Sequence, residues 1–289
     1  AGKVADKVLK AVGCSYQVGG HELHVSASIG IACYPDAGID LKSLTKHADI
    51  ALYQAKDKGR NCSHYFTERL NKKHKRRTEI ENALHFAIEK KQLHLLYQPV
   101  FDIKLNQVVG MEALLRWEHP TLGLVSPAEF IPISEEIGLA NQLGEWVLHT
   151  ACHQFSTWYQ AGYKHLSFAL NLSVCQLLQT GLLDHISKLH KTLNLPASQL
   201  VFEITETALM QEEKKSMHLL KSLDSLGFQI SIDDFGTGYS SLSRLQEMPI
   251  KILKIDRAFI SKVGKADHEV IVNAIIDLAK NLKLSVVAE

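Results

Sequence analysis

The chain has 289 residues, 46% of them hydrophobic, and its 32 Lys plus Arg nearly balance 31 Asp plus Glu, for a formal net charge of +1. That length allows a substantial core in one large domain or two smaller ones, and the even charge favours neither a nucleic-acid polymer nor an anionic membrane surface as partner. No apolar run approaches the ~20 residues that span a bilayer and the opening AGKVADKVLK lacks a signal-peptide layout, so the expected compartment is the cytoplasm with no membrane contact by this segment.

Residues 1–66 carry a strand-like alternation, HELHVSASIGIACYP, followed by DLKSLTKHADIALYQAKDKGRN, where Leu44, Ala48, Ala51 and Leu52 recur at helical spacing. Gly59 and Asn61 mark the end of that helix. Residues 67–92 read as a helical linker. A charged helix containing KKHKRR leads into an amphipathic one opened by a capping-box pattern at Thr78 and Glu81, with Ile80, Ala83, Leu84, Ala87 and Ile88 on one face. The basic run reads as a solvated face. Cys14, Cys33, Cys62, Cys152 and Cys175 show no CxxC spacing, which points to reduced, mostly buried thiols and away from disulfides or zinc.

From residue 93 to 289 apolar runs alternate with helical stretches: HLLYQPV, VVGMEALLRW, LSFALNLS, LVFEITE, FQISIDD, ILKIDRAFI and LSVVAE. Ser126, Pro127 and Glu129 give the N-cap, first and third positions of one intervening helix. Asn171, Glu203, Asp233, Lys254 and Glu289 are separated by 32, 30, 21 and 35 residues, the length of a strand, crossover helix and return. Repeated parallel units predict an α/β, TIM-like (β/α) barrel with active residues at the C-terminal strand ends. An open doubly wound sheet is the alternative.

Each run carries a polar group where that barrel places its active face: Glu112, Asn171, Glu203, the adjacent Asp233 and Asp234, Lys254 and Glu289. Taken singly, a strand Glu is a salt-bridged edge residue, DDFG is a turn and Lys254 beside Asp256 is a surface pair. Taken together, five strand ends depart in the same sense. Five carboxylates on one mouth repel, and one lysine does not balance them. Oxygen donors without Cys or His suit hard divalent cations, Mg²⁺ or Mn²⁺. Adjacent aspartates suit two ions per site, the usual device for phosphodiester hydrolysis, whereas glycosidic chemistry needs only a metal-free carboxylate pair.

At these residues the sequence resembles the EAL family of cyclic di-GMP phosphodiesterases, the motif standing at Glu112, Ala113 and Leu114. YQPV, EALLRW, FIPISEE, NLS, FEITE, DDFGTGYSS, LKID and VVAE follow in order. Residues 1–62 resemble the C-terminal half of a GGDEF diguanylate cyclase domain through VSASIGIA and ADIALYQAKDKGRN. The resemblance implies three parts: residues 1–66 as part of a GGDEF domain, 67–92 as linker, and 93–289 as an EAL barrel lacking its last unit.

It also implies roles. Glu112, Asn171, Glu203 and Asp233 are ligands of one metal, and Asp233, bridging, shares a second with Asp234. Lys254 orients or polarises the attacking water, and Glu289 is general base or second-site ligand. Arg116 contacts a substrate phosphate and Gln98 the guanine or phosphate region of the ligand. Phe235, Gly236, Thr237 and Gly238 belong to a mobile loop held by Glu206. The implied reaction is metal-dependent opening of cyclic di-GMP to linear pGpG. The alternatives are a cyclic di-GMP receptor using the same pocket, or a structural or dimerisation module on the helix at 66–92. A homodimer is expected by resemblance.

The GGDEF signature is absent, so Lys56 and Arg60, at positions that match nucleotide-triphosphate contacts, read as surface charges. The sequence stops at Glu289, before the family's GVE continuation. A segment of a longer protein is therefore expected, its activity in this form open and its whole form able to carry a membrane anchor elsewhere.

Overall fold

The computed structural model describes residues 1–210, 213–236, 242–264 and 266–289, which divide into two compact units, Ala1–Ala83 and Leu84–Glu289. Among the described residues no helix is long and apolar enough to cross a membrane.

The first unit opens with α1 (Gly2–Val12) and an antiparallel hairpin of β1 (Ser15–Val18) and β2 (His21–His24), exposed along its whole length. Next, β3 (Ile29–Ile31) and β4 (Ser63–Tyr65) pair in parallel, connected through α2 (Leu41–Asp57). Asp40 caps α2 by accepting the Ser43 N–H at 2.8 Å, while Gly59 and Asn61 past its end take positive φ of 98° and 48°. Gly30 is required because a Cβ there would overlap the Ala48 carbonyl of α2. The alternation at residues 21–35 therefore breaks into two short strands instead of one long one.

Helix α3 (Glu68–Leu84) corrects the expectation of a fresh helix start at Thr78. Thr78 lies inside the helix, and its hydroxyl donates back to the His74 carbonyl at 3.1 Å. A Ser/Thr-x-x-Glu pattern fits a helix interior as well as an N-terminus, because an interior hydroxyl satisfies itself on the preceding turn.

The second unit is built on one curled eight-stranded sheet. Its strands are β5 (Leu93–Asp102), β6 (Gln107–His119), β7 (Gly123–Val125), β8 (Ser167–Asn171), β9 (Leu200–Thr205), β10 (Gln229–Phe235), β11 (Ile252–Ile255) and β12 (Ser285–Ala288). The spatial order is β12-β11-β10-β9-β8-β6-β5, with β7 paired to the outer end of β6. The pairs β6–β8, β8–β9, β9–β10, β10–β11 and β11–β12 are parallel, whereas β5 and β7 each pair with β6 antiparallel, a departure from the uniformly parallel repeat. The order leaves β5 and β12 as edges, so the sheet is a partial barrel.

The intervening helices are α4 (Pro127–Glu136), α5 (Ala140–Gln160), α6 (Val174–Leu177), α7 (Leu182–Thr192), α8 (Glu206–Met210), α9 (Glu213–Ser225), α10 (Leu242–Glu247), α11 (Arg257–Ile260) and α12 (Ala266–Asn281). Helix α4 starts at Ser126 with Pro127 in its first turn, as expected, although the Ser126 side chain makes no capping bond.

Side-chain alternation sorts the sheet's two faces. Phe168 and Leu170 of β8, Phe202 and Ile204 of β9, and Ile230 and Ile232 of β10 belong to the core shared with the helices, where Phe155 of α5 stacks on Phe168 at 4.3 Å. The alternate residues Ala169, Val201 and Ser231 line the other face with small groups, and Asn171, Glu203 and Asp233 follow two positions later. The thiols are unpaired, but only Cys152 is buried, and Cys14 is exposed. Four of the five cysteines are thus less buried than expected, because they sit near the ends of short elements.

Candidate functional site

Parallel register brings the polar strand ends to one level. Asn171 pairs with Glu203 across β8 and β9, and Glu112 of β6 lies beside Ala169, one pleat below Asn171. Lys254 of β11, only 2% exposed, stands among them. Its Nζ donates to Glu112 Oε2 and Glu203 Oε2, both at 3.0 Å, and contacts Asp233 Oδ1 at 3.2 Å and Glu289 Oε1 at 2.5 Å. The Asn171 amide donates to Glu112 Oε1 at 3.0 Å.

Two adjacent aspartates reach this cluster because β10 contains a bulge. Ile232 faces Leu253 and Phe235 faces Ile255, so Asp233 and Asp234 together stand opposite Lys254 alone. In a regular strand neighbouring side chains leave opposite faces, whereas a bulge adds one residue and re-aims it. Asp234 takes the left-handed conformation, φ 53°, one that Asp tolerates better than most residues. Its N–H donates to Asp233 Oδ1 at 3.0 Å. As a result, ligand atoms of Asp233, Asp234 and Glu289 lie within 4.8 Å of one another, as do those of Glu112, Glu203 and Asp233. The two triads share Asp233.

The electrostatics follow from five carboxylates around one ammonium. Burial pushes the Glu203 carboxyl up to about 8; Lys254 opposes this, while Glu112 and Asp233 add to it. Asp234 is pushed up to about 6, first by burial, then by Asp233 and by a hydrogen bond with Asp256. Glu289 is raised, again by burial first. Burial acts to lower Lys254, but the surrounding carboxylates outweigh it and hold the group firmly as an ammonium. An oxygen-rich pocket with too little positive charge fits a hard divalent cation, and the absence of His and Cys from it disfavours softer metals.

Not every predicted residue enters the cluster. Gln98 faces Glu112 across the β5–β6 ladder but its side chain is exposed. Arg116 lies four residues beyond Glu112 on the same face, ~13 Å along the strand, and its guanidinium donates to the Leu115 carbonyl. Glu206, 2% exposed, accepts the Gly236 N–H at 3.0 Å, and Phe235 is buried. Thr237 and Gly238 lie outside the described residues. Asp256 was missed: it caps α11 by accepting the Ala258 N–H at 2.6 Å, and it also meets Asp234. The LKID string offered it as Lys254's neighbour, but its real partner is distant in sequence.

Residues 81–289 match the EAL domain, and residues 1–62 match the diguanylate cyclase, GGDEF domain. The bifunctional diguanylate cyclase/cyclic di-GMP phosphodiesterase MucR of Pseudomonas aeruginosa is 42% identical over 290 residues, which cover 100% of this chain and 42% of that protein. The cyclic di-GMP phosphodiesterase NbdA of the same organism is 39% identical over 93% of this chain and 35% of its own length. The chain thus spans about two-fifths of the length of these curated relatives. Among solved structures, the PaMucR phosphodiesterase in complex with c-di-GMP superposes with a TM-score of 0.70 at 42% identity, over 73% of this chain and 85% of that one. The FimX EAL domain from Pseudomonas aeruginosa bound to c-di-GMP gives 0.65 at 26% identity, over 73% and 84%. With more than two thirds of its residues in the match, and with its carboxylates gathered at the ends of the sheet's strands, the chain belongs to the EAL domain family.

Proposed function

We propose that the second unit hydrolyses cyclic di-GMP to linear pGpG with the help of Mg²⁺ or Mn²⁺, two ions per site. The observation that carries this reading is the pair of carboxylate triads sharing Asp233. Glu112, Asn171, Glu203 and Asp233 would hold one ion, and Asp233, Asp234 and Glu289 the other. Asn171 has Oδ1 on the same rotatable amide whose Nδ2 donates to Glu112. When bound, such an ion pair activates water and stabilises the leaving oxygen.

The chain's own groups have separable tasks. Lys254, held as an ammonium, does not take a proton from water; it donates a hydrogen bond that orients the attacking oxygen and offsets the phosphate's charge. Glu289 reaches the second triad, which favours a ligand role over that of a general base. Arg116, on the same face toward the C-terminal end of β6, offers a planar fork to a phosphate, and Gln98 beside Glu112 offers its amide to the guanine or phosphate region. Glu206 fixes the Gly236 N–H, and through it the exit of the chain from β10, next to the two aspartates. Asp256 steadies Asp234 from outside the triads.

The names of the relatives support the same substrate, and the presence of every family acid that falls within this chain favours turnover over a receptor that only binds. The test is chromatography of cyclic di-GMP incubated with the chain in Mg²⁺ or Mn²⁺, beside a Ca²⁺ control and Asp233→Ala. The expected result is pGpG that requires both the metal and Asp233. Tight binding without any product would overturn the catalytic reading in favour of the receptor. A homodimer is the expected assembly, checked by light scattering on the eluting species.

A further inference from the structure

Among the proposed ligands Asn171 alone is uncharged, and it stands exposed at the last position of β8. A neutral amide has no net charge to draw it onto a cation, so its aim depends on the structure around it. Up to Asn171 the backbone is fixed by parallel pairing with β6 and β9, and directly after it the Leu172 N–H donates to the Glu203 carbonyl at 2.8 Å. Ser173 then opens α6 with a reciprocal cap. Its Oγ accepts the Gln176 N–H at 3.3 Å, and its own N–H donates to Gln176 Oε1 at 3.1 Å. Four residues make too short a helix to be stable by itself, so what stands behind this cap decides whether the turn is rigid.

The cap is backed by α5. Gln176 is only 5% exposed, and its amide lies so close to Gly144 that a Cβ there would overlap it. Glycine is disfavoured against alanine inside a helix, and its presence there calls for a packing reason. Gly144 is the fifth residue of the 21-residue α5, and the space its missing methyl leaves is the space the Gln176 amide takes. The next residue, Glu145, accepts from Gln179 Nε2 at 2.8 Å, so α5 holds the turn at two successive positions. Gln176 is clamped by Ser173 on one side and by Gly144 on the other.

We propose that Gln176 is a positioning residue for Asn171: its amide, seated in the notch at Gly144, fixes the turn after β8 and with it the aim of the Asn171 side chain at the first ion. The assignment rests on the metal-dependent reading above. Gln176 acts through Ser173 and the two peptide units that join Ser173 to Asn171. The ligand is thereby tied to a long helix outside the sheet.

The test is calorimetric titration of Mn²⁺ into the whole chain, with melting temperatures beside it, for wild type, Gly144→Ala, Gln176→Ala, Asn171→Ala and the Asn171→Ala/Gln176→Ala double variant. Gly144→Ala keeps every hydrogen-bonding group and adds one methyl that displaces the amide. Gly144→Ala and Gln176→Ala should each weaken Mn²⁺ binding ~10-fold, as loss of an outer partner of a metal ligand does, with pGpG formation returning toward wild type at high Mn²⁺. In the Asn171→Ala background Gln176→Ala should add less than ~2-fold, because residues that act through one another are not additive. A Gln176→Ala chain that melts lower but binds Mn²⁺ like wild type would overturn the proposal, as would an undiminished effect in the absence of Asn171. A wild-type chain that binds no Mn²⁺ would overturn the metal-dependent reading and this assignment with it, so the two failures are told apart.

Discussion

Charged residues meet opposite fates in the two compact units. In Ala1–Ala83, Lys56 and Arg60 are exposed beyond the buried face of α2, and the β1–β2 hairpin has no buried position. In Leu84–Glu289, Lys254 is 2% exposed and touches four carboxylates delivered by four other strands or strand ends. Both units match a known family, but only the second gathers its ionisable groups where water does not screen them. A functional centre is therefore recognised by convergence at depth, and a motif on the surface does not amount to one.

The largest expected effect is at the centre of that contrast. Glu203→Ala should lower pGpG formation by roughly 10³-fold, because it removes a carboxylate from the buried triad; turnover within tenfold of wild type would break the comparison. Next, Lys254→Met should destabilise the metal-free chain by about 3–5 kcal/mol, as expected when one partner of a buried ionic cluster is lost. Urea unfolding measures this, and Mn²⁺ should restore part of the loss.

Deleting Asp234 should leave the far-ultraviolet spectrum intact while turnover falls by roughly 10²-fold and calorimetry counts fewer bound Mn²⁺. A smaller effect is expected with pH. Because Glu203 rises from 4.5 to about 8 on folding, the folded metal-free chain holds its proton more tightly than the unfolded one. Its contribution to stability is complete below about pH 4.5 and is lost as the pH rises through about 8. The melting temperature of the metal-free chain should therefore fall across that window, and Mg²⁺ should flatten the slope. The smallest effect belongs to the first unit: Lys56→Ala with Arg60→Ala should change stability by no more than ~0.5 kcal/mol and leave turnover unaltered, by the same two assays.

Much of this was legible in the sequence for a local reason. Strands β5, β6 and β8–β12 announced themselves as apolar runs, and separations of 32, 30, 21 and 35 residues placed Asn171, Glu203, Asp233, Lys254 and Glu289 at successive strand ends. What stayed hidden depended on distant partners. The bulge at Asp233–Asp234 is a relation between β10 and β11, and nothing within IDDFG distinguishes it from a turn. The antiparallel start of the sheet depends on how β5 folds back on β6. Asp256 looked like Lys254's companion until Asp234 was placed beside it. Thr78 misled because interior and terminal hydroxyls share one local pattern, and only the helix's start at Glu68 shows which of the two it is.

The bulge also bears on descent. Ile232 faces Leu253 and Phe235 faces Ile255, so the extra residue is absorbed at the bulge and pairing resumes beyond it. An ancestral strand with a single aspartate would have acquired the second by inserting one codon, without refolding the sheet and without re-evolving any residue after it. By the same logic, one deletion could remove the second carboxylate and keep the fold, so the number of acids at this strand end can change while the sheet does not.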